Sequence, residues 1–147
     1  MRLPVFTTVL VALNNSPSDN AIVEAAGNLV LGPQARVIMV HVLPYADDVA
    51  GQDASRPLPP NHDFPHHDIE QHLRACAQRL VDNFPAIEVV LGEPDHEIIR
   101  LANIHQVDLI VLGSRGLQGV DRIIEGSVSS RVLEQAPCTV MVVKPKD

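Results

Sequence analysis

The chain has 147 residues, a length suited to one domain with one substantial core. With 46% hydrophobic, 20% charged and only 3% aromatic residues, that core must be aliphatic. The formal net charge is -7, the wrong sign for tracking a phosphate backbone, and neither a Lys/Arg stripe nor stacking aromatics favour nucleic acid as a partner.

No apolar run approaches the ~20 residues needed to span a membrane. Met1 to Leu13 carries one Arg and no Ala-x-Ala cleavage pattern, so the expected location is cytoplasmic. The two cysteines, Cys76 and Cys138, form no CxxC motif and read as small buried hydrophobes.

In chain order, the first aliphatic run is Val9 to Leu13. Ser16-Pro17 then reads as an N-cap with proline at the first helical position, and Asp19 falls in the first turn. Ile22, Ala25, Ala26 and Leu29 form one helical stripe, which Gly32-Pro33 is expected to stop. A second run, Val37 to Leu43, follows. The segment from Pro44 to His67 has no stripe and holds five of the twelve prolines, and it predicts a long mobile loop at 44–67.

A second helix is expected near Asp68, with Gln71 as capping-box partner and a stripe of Ile69, Leu73, Cys76, Ala77 and Leu80. Ile87 to Leu91 is a more mixed run, suited to an edge strand. Pro94 opens a third helix, with Asp95 and Glu97 at its positive end and Ile98, Leu101, Ala102 and His105 on one face. Leu109 to Leu112 is a fourth run. A fourth helix starts at Ser127, with Val128, Val132, Leu133 and Ala136 expected inward. Thr139 to Val143 is the last run.

The runs are mostly continuous rather than alternating, as in strands buried on both faces. The β-α alternation predicts a single-domain α/β fold over 1–147, an open parallel five-stranded sheet with helices on both faces (Rossmann-like). Such sheets bind ligands beyond the carboxyl ends of their strands, where strand order reverses. Here those ends are Leu13-Asn14-Asn15, Val42-Leu43-Pro44 and Gly113-Ser114-Arg115-Gly116.

The strongest chemical signal runs from Gly113 to Val128: Gly-Ser-Arg-Gly, nine residues, then Gly-Ser-Val. Gly113 and Gly116 allow a tight turn and close approach of a ligand to backbone N–H groups. Gly126-Ser127-Val128 opens a helix whose first N–H groups are free to meet an anion, with the Ser127 hydroxyl beside them. The motif is neither a P-loop nor the GxGxxG dinucleotide fingerprint. By itself it fits either phosphate binding or a plain turn followed by a helix cap.

The spacing Gly-x2-Gly-x9-Gly-Ser resembles the nucleotide motif of the ATP-binding branch of universal stress proteins. Val107 to Gly116, Gly126 to Val128, Ala136 to Val143 and Val40-His41-Val42 are similar to the same family. The resemblance covers nearly the whole chain outside the 44–67 segment and implies an adenine-nucleotide fold of the alpha-hydrolase-like type. It implies that Gly113, Gly116, Gly126, Ser127 and Val128 meet the phosphates and ribose of ATP. It implies that Val42 meets adenine through its backbone and that Leu112 lines the pocket. The expected cofactor is ATP or another adenine nucleotide, with Mg²⁺ or Mn²⁺ an optional companion held through the phosphates. The resemblance also implies a homodimer through the last strand, 139–144.

One departure is local. Asn14-Asn15-Ser16 stands where the family often has Asp-Gly-Ser, so Asn14 brings an amide, able to donate and accept, in place of a carboxylate.

Arg115, Arg122 and Arg131 are candidate phosphate partners, Arg115 first among them. The plainer alternative is a solvated face or ion pairs such as Arg131 with Glu134 or Glu125. His62, His66, His67 and His72, with Asp63 and Asp68, read as a solvated segment more readily than as a metal site. No residue pattern suggests nucleophilic or general acid/base catalysis, and no lysine lies between Gly113 and Val143. The expected function is ATP binding in a regulatory, stress-response module. The alternatives are a slow ATP-hydrolysing enzyme and a nucleotide-free dimeric scaffold.

Overall fold

The computed structural model describes residues 6–29, 34–43, 64–83, 85–114 and 127–144. Five strands form one sheet: β1 (Thr8–Leu13), β2 (Arg36–Leu43), β3 (Ala86–Leu91), β4 (Leu109–Gly113) and β5 (Thr139–Val143). Their order is β3-β2-β1-β4-β5, and every pairing is parallel. Each strand matches an aliphatic run of the sequence to within one residue at either end. The mixed run, β3, lies at an edge, as its composition suggested.

Parallel strands need crossovers, and the helices supply them. They are α1 (Asp19–Gly27), α2 (Phe64–Ala77, continued by a 3₁₀ stretch, Gln78–Asn83), α3 (Pro94–Ile104) and α4 (Ser127–Gln135). Side chains alternate between the sheet's two faces, and that alternation divides the core. Val9, Val11, Val37, Met39, Leu109 and Val111 join Ile22, Val23 and Ala26 of α1 and Ile69, Leu73 and Cys76 of α2. Leu10, Ala12, Ile38, Val40, Ile110 and Leu112 join Ile98, Leu101 and Ala102 of α3 and Val132 of α4. Each fully buried Leu, Ile or Val contributes about 1.5–3 kcal/mol, which makes the central strand β1, wholly buried, the anchor of both layers.

Several details depart from the sequence reading. Helix α1 begins at Asp19 rather than Pro17. Pro17 and Ser18 form a tighter lead-in, with Asp19 N–H on Ser16 O at 2.9 Å and Asn20 N–H on Pro17 O at 3.2 Å. It ends at Gly27: the Asn28 N–H is shared between the Glu24 carbonyl at 3.1 Å and the Ala25 carbonyl at 3.2 Å, and the Leu29 N–H turns to the Ala26 carbonyl three residues back; Gly32 and Pro33 lie outside the described residues.

Helix α2 begins at Phe64, so residues 64–67 are its first turn rather than loop, and Asp68 lies inside it. Pro65 is compatible with that turn, where its missing N–H has no partner to lose. Residues 44–63 of the expected loop lie outside the described residues.

Leu80 departs from helical geometry at φ −120, ψ 49, yet still packs against the α1/α2 core. Leu133 is 56% exposed rather than inward, because Val128, Val132 and Ala136 define the buried line of α4 and Leu133 lies one residue off it. Cys138 is half-buried, and both cysteines are free thiols.

At the amino ends of the strands, Asp108 ties β4 to β1. Its carboxylate accepts the Thr7 N–H at 2.9 Å, the Thr8 N–H at 3.0 Å and the Thr7 hydroxyl at 2.9 Å. Burial pushes this carboxyl up, but the Thr7 and Thr8 hydrogen bonds outweigh it and hold it below its ordinary value.

Candidate functional site

The chain leaves β1 for β2 and β3 on one side, then returns to β4 on the other. The strand order therefore reverses between β1 and β4. The carboxyl ends of these strands diverge into opposite layers there, and a cleft of about 380 Å³ opens on the α3/α4 face. Five residues assigned from the sequence meet in it: Asn14, Val42, Leu112, Gly113 and Val128. Ala12, Leu13, Val40, Pro94 and Ile98 complete an otherwise apolar wall. Arg115, Gly116, Gly126 and the Ser127 side chain lie outside the described residues.

Two features mark this end of the sheet. Gly113 ends β4 where a Cβ would stand 3.0 Å from Ile22 Cδ1, so a side chain there would crowd the α1 face rather than the cleft. The Asn14 amide nitrogen, Nδ2, is buried without a hydrogen-bond partner among the described residues. An unpaired buried donor costs about 1–3 kcal/mol, so a ligand that brings an acceptor to this corner recovers that cost.

The turn that carries Asn14 is built by a residue the sequence reading placed only as a helix-end charge. The Asp19 carboxylate accepts the backbone N–H groups of Asn14 at 2.6 Å, Asn15 at 2.8 Å and Ser16 at 3.3 Å. Asn15 sits at φ 57, a left-handed conformation that Gly or Asn adopts most readily, which fits its place where the family often has Gly.

His72 of α2 donates from Nε2 to Asp19 Oδ2 at 2.8 Å, so it is no free member of a histidine-rich surface. Of the others, His67 contacts Gln71 one helical turn on, at 3.1 Å. His41, buried at the end of β2, donates from Nδ1 to the Leu13 carbonyl at 2.9 Å, and so bolts β2 to the β1 end that leads into Asn14.

Cys76 lies 3.8 Å from His72, so Cys, His and Asp meet here. Nucleophilic catalysis would need the imidazole to address thiol and carboxylate through different nitrogens, yet Nε2 serves both. Burial and the nearby Asp19 charge also push the Cys76 thiol up, away from the reactive thiolate.

At the Pro94 side of the cleft, Asp95 is buried and Arg131 Nη1 stands 3.6 Å from its Oδ2. Among the described residues the Arg131 partner is thus Asp95 of α3, not Glu134; Glu125 lies outside the described residues. Glu93, Asp95 and His96 bring ligand-type atoms within 4.8 Å of one another, a group that sequence spacing did not single out. No described helix is long and apolar enough to cross a membrane.

The fold has many solved counterparts. A Methanocaldococcus jannaschii protein, MJ0577, superimposes with a TM-score of 0.77 at 22% identity, over 96% of this chain and 97% of that one. A universal stress protein in complex with cAMP gives 0.66 at 22% identity over 94% and 96%. A universal stress protein family member from Arabidopsis thaliana with AMP bound gives 0.57 at 23% over 95% and 92%.

In sequence, the chain is 28% identical to the universal stress protein YxiE of Bacillus subtilis, over 95% of this chain and all of that one. The family model described as "Universal stress protein family" matches residues 6–144. With nearly its whole length matched, the chain belongs to the universal stress protein family.

Proposed function

We propose that this protein binds an adenine nucleotide, ATP foremost, in the cleft at the carboxyl ends of β1, β2 and β4, and acts in the cytoplasm as a regulatory stress-response module. The observation that carries this reading is the convergence of Asn14, Val42, Leu112, Gly113 and Val128 on one cleft, with the Asn14 Nδ2 donor buried there and without a partner among the described residues. The cAMP and AMP complexes of structurally similar proteins support the adenine class.

In this reading the apolar wall takes the base, with Val42 offering its backbone. Gly113, Arg115, Gly116, Gly126, Ser127 and Val128 take ribose and phosphates, and Mg²⁺ or Mn²⁺ is held through the phosphates. Binding of this kind stabilises the ground state, and uniform binding gives no rate acceleration.

A slow hydrolytic activity is the second reading. The carboxylate and imidazole group at Glu93, Asp95 and His96, beside the Pro94 wall, is the observation that favours it. Dimerisation through 139–144 completes the proposal. Strand β5 is an edge whose side chains are half-buried valines and Met141, and an apolar edge favours pairing with a second strand.

The test is direct. Protein purified without added nucleotide is denatured in acid and the supernatant is chromatographed. Adenine nucleotide approaching one equivalent supports the reading. An empty supernatant, with no uptake when ATP is then supplied to fresh protein, refutes it and favours the nucleotide-free scaffold.

A further inference from the structure

We infer that Asp19 is a positioning residue for the cleft, and that His72, on the opposite face of the sheet, latches it. The cleft opens on the α3/α4 face, whereas α2 packs on the α1 face against Val37, Met39 and Val11. His72 is therefore separated from any ligand by the sheet, and it reaches the cleft through a single carboxylate.

The linkage has three steps. Asn14 lines the cleft, and its backbone N–H is held by Asp19 at 2.6 Å. The next two N–H groups, Asn15 at 2.8 Å and Ser16 at 3.3 Å, both fall on Asp19 Oδ2. That same oxygen receives His72 Nε2–H at 2.8 Å.

The Asp19 side chain is 1% exposed, and a carboxylate so buried must be saturated with donors to remain in place. The helix-side donor is His72, itself 33% exposed and 53 residues away in sequence. Without it, Oδ2 keeps only the two turn amides and the carboxylate loses its fixed plane.

The turn it holds sets Asn15 at φ 57, and the Asp19 hydrogen bonds to Asn14, Asn15 and Ser16 fix that geometry. Relaxing Asn15 reorients Asn14, and with it the unpaired Nδ2 that faces Gly113. Conversely, a ligand that moves Asn14 pulls on α2, so occupancy of the cleft is transmitted to the far helix layer through Asp19 and His72.

The affinity part of this inference rests on the nucleotide reading; the positional part does not. The variants are His72→Leu, which keeps bulk but cannot donate, and His72→Gln, whose amide nitrogen reaches the place of Nε2. Two-dimensional ¹H–¹⁵N spectra of ligand-free protein report the backbone amides of Asn14, Asn15 and Ser16 and the Asn14 side-chain amide. Calorimetry with Mg-ATP reports affinity.

The expected result is displacement of these resonances in His72→Leu with affinity reduced about three- to tenfold, and recovery of both in His72→Gln. A generic loss of stability would not be selective for these amides and would not be rescued by Gln. Unmoved amides in His72→Leu overturn the inference, as do displaced amides with wild-type affinity. If the wild-type protein takes up no nucleotide while His72→Leu still displaces the amides, the latch stands and the nucleotide reading falls.

Discussion

The Asn14 amide nitrogen lies where a side chain on Gly113 would meet it: a Cβ built on Gly113 stands 3.8 Å from Nδ2. Asn14 directly follows β1 and Gly113 ends the neighbouring β4, at the point where strand order reverses. Their proximity gives a direct prediction. Asn14→Ala removes a buried donor that has no partner among the described residues, so thermal stability is unchanged or higher. The ligand loses a hydrogen bond worth about 1 kcal/mol, so ATP affinity falls about fivefold. Melting curves and calorimetry on one preparation check both halves, and a parallel loss of stability would show that Asn14 serves the fold instead.

Gly113→Ala acts from the α1 side of the same strand end. The added methyl must displace Ile22 Cδ1 from 3.0 Å, inside a core where Ile22 is 1% exposed. Overpacking of this size costs about 1–3 kcal/mol. The expected outcome in urea unfolding is a lower midpoint with unchanged slope, accompanied by weaker ATP binding.

Asp108 supplies a prediction remote from the cleft. Its carboxyl is held below its ordinary value in the folded protein, so it contributes stability that is present above the unfolded carboxylate range, near about 4, and lost as pH falls through the folded value. Asp108→Asn should therefore cost on the order of 1 kcal/mol at pH 7, since hydrogen bonds to a charged group are weakened by solvent at this partly exposed site. The difference from wild type should shrink in denaturant titrations carried out progressively below pH 4. A pH-independent difference would assign the effect to packing.

What the sequence disclosed, and what it did not, follows from the range of the interactions. The five strands were legible because continuous aliphatic runs such as Val9 to Leu13 signal burial on both faces locally. The cleft residues Asn14, Val42, Leu112, Gly113 and Val128 were legible because strand ends and a helix start are local features too. The partner pairs were not. Asp19 with His72 spans 53 residues, and Asp108 with Thr7 spans 101. Neither is encoded by any spacing. His72 was hidden twice, since its helix begins at Phe64, ahead of the first apolar stripe residue, Ile69, in a stretch whose histidines read as solvated. Leu133 misled because apolar character alone does not place a residue on the buried line of a helix.

Catalysis should be slow. The described cleft offers an apolar wall and one amide, and the glycine segment brings no lysine to neutralise a developing charge. Single-turnover hydrolysis of labelled ATP with Mg²⁺ or Mn²⁺ should run far below the typical enzyme rate of about 10 per second. Asp95→Asn is the informative companion, because it weakens the one described cluster able to hold a metal. Turnover near about 1 per second that disappears in this variant would establish the hydrolytic reading instead.

The central claim is that the glycine segment joined to this cleft holds the phosphates of an adenine nucleotide by close backbone approach. Titration calorimetry of ATP into wild-type protein and Gly126→Val, with folding of both verified by circular dichroism, tests it most directly. The account predicts a saturable, near-stoichiometric isotherm for the wild type and no measurable heat of binding for the folded variant. Equal affinity in the two proteins would contradict it and reduce the glycine segment to a turn.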